Sequence, residues 1–563
     1  MNNQTTKLLK LNLGCGHDYI AGWTNVDAVE DVKPDMILDL RSEWHWQNAS
    51  VDEVLLKDIL EHFTWEDLQG VMRELARVTK VGATVTVRVP NLDRIFTQFA
   101  HDSVVRNLFV YGATHATGVF GAHKVGFSPH TLTMLFVRYG FELQSLEGAT
   151  TNWVATFVRV DDLEIKRVAW IMQTFSWGGA EVYFSELIPA MQQIKAKHTV
   201  ITNNRQLRKS LRSNGVATQT LRAYADFVAN WKALVKTIVF LPHTLFWYAH
   251  LLWQIRSFDV LVCATFTDKI IVTPFVRVFG VPVVWNEFGP VYPLLKKWLR
   301  LPEFAYRFAS QFVQRIVVPS THTKQSLSQK THISLGLLDK VACGRDLEVL
   351  GAERSEAEVT AAQGLRSKNI VCVSRFDSGK GQLELVAAFA QVVREVPDAR
   401  LILVGEGSEL AAVQDKVTEL GIQKSVQFKG FVENVVPEIQ AARMCVFPST
   451  WELEGFGLVA IEAMAIGKPV IAYNKAPMNE ITLHDTTGVL IEPSNATALS
   501  EAMINLLTDD VKVNRLSTSA RAHFREQYQI KRSAEEYMNQ LLWAVASMKA
   551  HQAVSKWQRS ESL

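Results

Sequence analysis

The stretch "WELEGFGLVAIEAM" (451–464) sets two glutamates, Glu454 and Glu462, eight residues apart. Gly455, Phe456, Gly457 and Leu458 lie between them and open an apolar run. That run predicts a helix beginning near Gly457–Leu458, whose first amides lack intrahelical partners and favour an anion. Glu454 stands just outside the helix, within reach of a group attached to that anion. Glu462 lies inside it, and a carboxylate in an apolar helix is costly unless hydrogen-bonded. Ribose hydroxyls would satisfy it. Upstream, "VSRFDSGKGQLELVAAF" (373–389) puts Arg375 at a strand end and Lys380 in a glycine loop. A planar fork and a compact point charge suit the two phosphates of a diphosphate. Preorganised donors act most strongly where negative charge develops on such phosphates. Glu454, Arg375 and Lys380 are therefore the expected catalytic residues. With these cations in place no metal is required, and no DxD-like pair stands out.

A second set lies near the start. "LNLGCG" reads as a strand and a glycine turn, in which Gly14 and Gly16 let the backbone approach a ligand. "TNVDA" ends in Asp27, whose carboxylate can accept both hydroxyls of a ribose. "MILDL" ends in Asp39 and Leu40, which could flank an adenine. "VDEVLLKDILEHF" ends in Asp58, with Glu61 and His62 beyond. Only about ten residues separate Gly16 from Asp27, whereas a crossover with its helix usually takes a dozen or more. The first helix is therefore expected to shrink to about a turn. His62, His115, His123 and His130 could each serve as a base.

The elements that must position these residues alternate short β-rich runs with helical ones, the mark of an α/β chain. Three clusters appear, separated by "DDLEIKR" (161–167) and by a polar stretch over about 345–368. In the second cluster, "TFSWGGAE" again follows a first strand with glycines, and Gly178 and Gly179 can present amides to a phosphate. A chain of 563 residues is too long for one core. At 48% apolar and 21% charged it reads as globular, and a formal charge of +2 gives no reason to expect nucleic acid. The five cysteines are scattered and suit a reducing compartment rather than disulfides or zinc. The opening "MNNQTTKLLKLNLG" lacks a signal-peptide apolar core.

Residues 8–158, through "LNLGCG", Asp27, Asp39–Leu40, Asp58 and "HKVGFSPHTLTMLFVRYGFE" (123–142), resemble class I S-adenosylmethionine-dependent methyltransferases. The resemblance implies Gly14, Gly16 and Asp58 at the methionine end, Asp27 at the ribose and Asp39 with Leu40 at the adenine. Residues 166–545, through "SWGGAE", "SRFDSGKG", "LVGEG" and the paired glutamates, resemble the retaining glycosyltransferases of family 4 with the GT-B fold. This implies two Rossmann-like domains facing across a cleft. Glu454 would contact the donor sugar, Glu462 the ribose, and Arg375 and Lys380 the diphosphate. Gly178, Gly179 and the amides of Gly455, Phe456, Gly457 and Leu458 would hold the donor. "NEITLHDTTGVLIEP" (479–493) looks like the family's closing segment. Two departures stand out. The usual "NGVD" hinge reads "CGRD" (343–346), and Glu287 in "WNEFGP" stands where many relatives carry histidine.

The expected organisation is a methyltransferase domain (1–160), an acceptor domain (166–350), a donor domain (351–545) whose final helix packs back, and a polar tail (546–563). The expected function is a bifunctional enzyme of bacterial surface polysaccharide biosynthesis. It would use S-adenosylmethionine and a nucleotide sugar, act on a glycan or lipid-linked acceptor, and need no metal. The alternative is a glycosyltransferase whose first domain only binds. The apolar "TIVFLPHTLFWYAHLLW" (237–253) cannot span a bilayer once without splitting one sheet, so it is either a buried helix or an interfacial one. The expected location is cytoplasmic; the interfacial reading, with "KKWLRLPEFAYRF" (296–308) nearby, would place the protein against the inner face of the plasma membrane and suit a lipid-linked acceptor.

Overall fold

A computed structural model describes residues 8–98, 123–148, 151–174, 177–222, 235, 239–289, 291–295, 300–351, 367–452 and 454–561. The chain forms two compact units, Met1–Ile165 with Leu542–Leu563, and Lys166–Leu541. The α/β class expected from the sequence is the one observed, with three sheets built mainly from parallel strands.

In the first unit, strands β1 (Lys10–Leu13), β2 (Thr24–Asp27), β3 (Met36–Ile37), β4 (Val51–Lys57), β5 (Thr79–Pro90), β6 (Phe141–Gly148) and β7 (Asn152–Arg159) form one sheet. Their order is β3-β2-β1-β4-β5-β7-β6. All pairs are parallel except those of β7, which runs antiparallel to β5 and β6. Leu11, Leu13, Val54, Leu56, Val85 and Val87 build the core. The helix Trp65–Val78 lays Leu68, Val71, Met72 and Leu75 on it, and a Thr64–Asp67 capping box starts that helix.

Between β1 and β2 the described chain makes turns and no helix at all. A buried amide network replaces the helix. Asn25 accepts the Asn12 side-chain amide at 2.9 Å and the Ile20 N–H at 2.9 Å, and donates to Asp35 at 2.9 Å. Satisfied buried polar groups can fix a loop that has too few residues for a packed helix.

The second unit holds two parallel sheets. One contains β8 (Arg167–Met172), β9 (Lys197–Thr202), β10 (Ala217–Thr220), β11 (Val260–Cys263), β12 (Val283–Asn286), β13 (Arg315–Val318) and β14 (Leu338–Lys340), in the order β10-β9-β8-β11-β12-β13-β14. The other contains β15 (Asn369–Val373), β16 (Arg400–Val404), β17 (Val426–Gly430), β18 (Met444–Phe447), β19 (Val470–Tyr473) and β20 (Gly488–Ile491), in the order β17-β16-β15-β18-β19-β20. Central strands such as "VLVC" and "MCVF" are buried along their whole length, as parallel strands covered on both faces must be.

Two chain crossings join the halves side by side. The Arg345 N–H donates to the Tyr528 carbonyl at 2.9 Å, and the Ile530 N–H to the Arg345 carbonyl at 3.1 Å. The helix Ile530–Glu561 then packs back on the first half. Its Tyr537 ring lies 5.3 Å from Trp170, and Gln540 accepts from Arg315 at 2.9 Å. Residues 546–561, expected within a polar tail, continue this helix. There Ala546 and Ala550 bury against Met134, and the rings of Trp557 and Trp153 meet at 6.3 Å. The sequence hides this because one apolar stripe is diluted by a charged outer face.

The helix Leu241–Ile255 buries Thr244, Tyr248, Leu251 and Ile255 and exposes Leu245, Phe246 and Trp253. The adjoining helices Phe266–Val276 and Leu301–Ser310, with the turn between Arg277 and Phe279, expose Phe275, Val278, Phe279, Leu301, Phe304 and Phe308. Among the described residues no helix is long and apolar enough to cross a membrane. Residues 237–238 and 296–299 of the two apolar stretches lie outside the described residues.

Candidate active site

In open parallel sheets, ligands bind at the carboxyl ends of the strands where the strand order reverses. The second unit has two such points, between β8 and β11 and between β15 and β18. Arg375 and Lys380 follow β15, and Glu454 follows β18. The structure brings these three together. Lys380 is buried and its Nζ lies 2.6 Å from Glu454 Oε2, which also accepts from Ser449 Oγ at 3.2 Å. The Trp451 ring lies beneath both cations, 4.1 Å from Lys380 Nζ and 5.3 Å from the Arg375 guanidinium carbon. Trp451 stands in the opening motif, yet the sequence reading gave it no role. Its face gathers two positive charges at one point. Arg375 is exposed and pairs with Asp377 at 2.7 Å.

The helix Leu458–Ile466 begins as expected, capped by Gly457 with a left-handed φ of 111°. Gly455 is demanded by contact: a Cβ there would fall 1.4 Å from the Phe288 carbonyl oxygen of the opposite half. Phe456 is buried beside Tyr528. In the opposite half, Gly178 caps the helix Gly179–Ile194 and donates to Glu181 at 2.9 Å. A Cβ on Gly179 would stand 3.2 Å from Leu458 Cδ1. The glycine loop of one half therefore abuts the helix N-terminus of the other. In the closing segment, Glu480 accepts the amides of Thr321 and His322 at 2.8 and 2.7 Å, capping a helix of the first half.

Glu462 is the residue whose surroundings differ most from expectation. It is buried and ion-paired to Arg345, which also meets Glu186 at 2.9 Å. The Asp346 N–H adds a bond to Glu186 at 3.0 Å. Arg345 is the residue that turns "NGVD" into "CGRD", so the departure itself was the signal. A guanidinium thus meets the requirement that had suggested ribose hydroxyls, and it fixes the carboxylate of Glu462 on the helix Leu458–Ile466. Glu287 is likewise enclosed, 2.7 Å from Lys269 and accepting from Tyr306 at 2.6 Å.

In the first unit the strand order reverses between β1 and β4. The Gly16 N–H donates to Asp27 Oδ2 at 2.8 Å, joining the glycine turn to the end of β2. A Cβ on Gly16 would meet nothing within 4 Å, so open space lies over the turn, while one on Gly14 would strike Ile59 at 2.6 Å. Asp58 is held in a two-pronged pair by Arg88. Asp39 pairs with Arg41 at 2.5 Å, and Leu40 turns its side chain into the core. His130 lies 3.3 Å from Ser547 Oγ, and burial lowers its pKa. His115 lies outside the described residues. Burial pushes the Glu61 carboxyl up to about 8.

The second unit has the GT-B glycosyltransferase fold. Its C-terminal part carries a group 1 glycosyltransferase domain: residues 357–523 match the family model "Glycosyl transferases group 1". Among solved structures, HepE of Anabaena in complex with UDP is similar at a TM-score of 0.56 and 18% identity, covering 67% of this chain and 99% of that one. Sucrose-phosphate synthase of Thermosynechococcus elongatus is similar at a TM-score of 0.52 and 21% identity, covering 67% and 98%. Among curated proteins, the N-acetyl-alpha-D-glucosaminyl L-malate synthase of Bacillus anthracis is 34% identical over 170 residues, 30% of this chain and 44% of that protein. A GDP-mannose-dependent monoacylated alpha-(1-6)-phosphatidylinositol monomannoside mannosyltransferase of Corynebacterium glutamicum is 32% identical over 166 residues, 28% of this chain and 43% of that protein. The chain thus spans less than half the length of these curated relatives.

Proposed function

We propose that Lys166–Leu541 transfers a sugar from a nucleotide-sugar donor, with retention, to a glycan or lipid-linked acceptor in bacterial surface polysaccharide biosynthesis. The observation that carries this reading is the Lys380–Glu454 pair at 2.6 Å over Trp451, beside the Leu458–Ile466 helix N-terminus. Lys380, Arg375 and the helix amides stabilise charge on the departing diphosphate, while Glu454 holds sugar hydroxyls. The leaving phosphate takes the acceptor proton on the face it departs from. Relatives use different donors: the Corynebacterium enzyme is named for GDP-mannose, and HepE was solved with UDP-glucose. A screen of UDP-, GDP- and ADP-sugars tests the reading, and turnover of none would end it. Transfer is expected to persist in EDTA. Activity lost to the chelator and restored by magnesium would refute the metal-free assignment.

For the first unit we propose S-adenosylmethionine binding and methyl transfer. Support comes from the reversed strand order at β1 and β4, the open space over Gly16 and the Gly16–Asp27 bond. Asp27 would hold the ribose hydroxyls, and the glycine turn would lie against the cofactor, which supplies the methyl group. Asp27→Ala should abolish S-adenosylmethionine binding by the full chain in calorimetry and leave sugar transfer within a few-fold. Wild-type protein that binds none would favour the alternative of a non-catalytic module.

The exposed face of Leu245, Phe246, Trp253, Phe275 and Phe304 supports docking on an anionic lipid surface. The Arg256 guanidinium, over the rings of Trp253 and Phe279, would meet the headgroups. The full chain should float with anionic liposomes at low salt, and Phe246→Ser with Trp253→Ser should largely abolish flotation. Wild-type protein left at the bottom of the gradient would count against it.

A further inference from the structure

The sequence reading took His62 and His123 as separate candidate bases and expected no metal. The fold brings them together beside Glu61. Residues 60–62 form a single helical turn just past β4, and the Lys124 and Val125 amides both donate to the Glu61 carbonyl, at 2.6 and 3.2 Å. These bonds set His123 against that turn, and the His62 and His123 rings meet at 4.9 Å. One ligand atom from each of Glu61, His62 and His123 lies within 4.8 Å of the other two.

A second observation is independent of that clustering. The Glu61 side chain is 1% exposed, and neither carboxylate oxygen has a hydrogen-bond partner among the described residues. Buried carboxylates are normally satisfied by donors or by a cation. The two imidazoles nearest it are half-buried.

We propose that Glu61, His62 and His123 bind one divalent transition-metal cation, in a two-histidine, one-carboxylate site at the carboxyl end of β4. Imidazole with carboxylate suits zinc, iron(II) or cobalt(II) better than magnesium or calcium. A four-coordinate ion with ligands at about 2.1 Å holds them about 3.4 Å apart, so modest side-chain rotation would close the site. Three protein ligands leave a coordination position for water or a substrate oxygen. The site does not depend on whether this unit transfers methyl groups.

The test is metal binding by untagged, full-length protein, stripped with chelator and desalted. Equilibrium dialysis with zinc should return about one tightly held equivalent, and cobalt(II) should give visible bands of a low-coordinate site. Zinc should raise the melting temperature of the wild type. Glu61→Gln keeps the shape of the side chain but not its charge, and it should lose most of the binding, as should His123→Ala. Circular dichroism and a cooperative unfolding transition of wild-type amplitude in the metal-free state would show that both variants fold. Wild-type protein that holds no zinc, or variants that hold as much as the wild type, would overturn the proposal.

Discussion

Glu454→Gln is expected to lower sugar-transfer turnover roughly 10²-fold or more, the scale of losing one preorganised polar contact at a reacting group. The glutamate accepts from Lys380 and Ser449 and stands just before the helix Leu458–Ile466. Glutamine keeps the size of the side chain but turns a charged acceptor into a neutral amide. Two effects combine: the grip on the sugar weakens, and Lys380 loses the partner that aims it. The loss should fall mainly on turnover rather than on KM, because charge separation peaks in the transition state. Near-wild-type turnover would sink the assignment. A melting curve recorded alongside guards against misfolding, since Lys380 is buried.

Arg345→Ala should destabilise the second unit by about 3–5 kcal/mol, the usual cost of breaking a buried ion pair. Glu186, Arg345 and Glu462 have side chains only 10%, 7% and 7% exposed. Removing the guanidinium leaves two carboxylates facing each other without a cation. Denaturant unfolding followed by the buried Trp170 and Trp285 signals should show the shift. An unchanged midpoint would mean that water already shares the site. The triple variant Glu186→Gln, Arg345→Met, Glu462→Gln should recover much of the loss, because uncharged replacements leave no isolated charge.

The sheets were legible in the sequence because their strands read as apolar runs closed by glycine or charge. The Gly457 cap and the meeting of Arg375 with Lys380 were legible too, since both follow from loops at neighbouring strand ends. The partner of Glu462 was not. Arg345 lies 117 residues before it, and no local pattern relates a hinge residue to a helix in the other sheet. The same limit hid Glu61. Its neighbour His123 is brought to it by two backbone bonds between segments far apart in sequence. The shortened β1–β2 crossover was foreseen from spacing alone, but the Asn12–Asn25 bond that sustains it was not.

The buried ion triad bears on how interchangeable the two halves of such an enzyme are. Recombining a donor half from one sequence with an acceptor half from another is an attractive route to new sugar specificities. In this chain the graft would separate Glu186 from Glu462 and leave Arg345 at the seam. It would also set a foreign loop where Gly455 touches the Phe288 backbone. A hybrid would need the triad transplanted whole or replaced whole, together with the glycine. The two sheets of Lys166–Leu541 are matched to each other through the triad and Gly455.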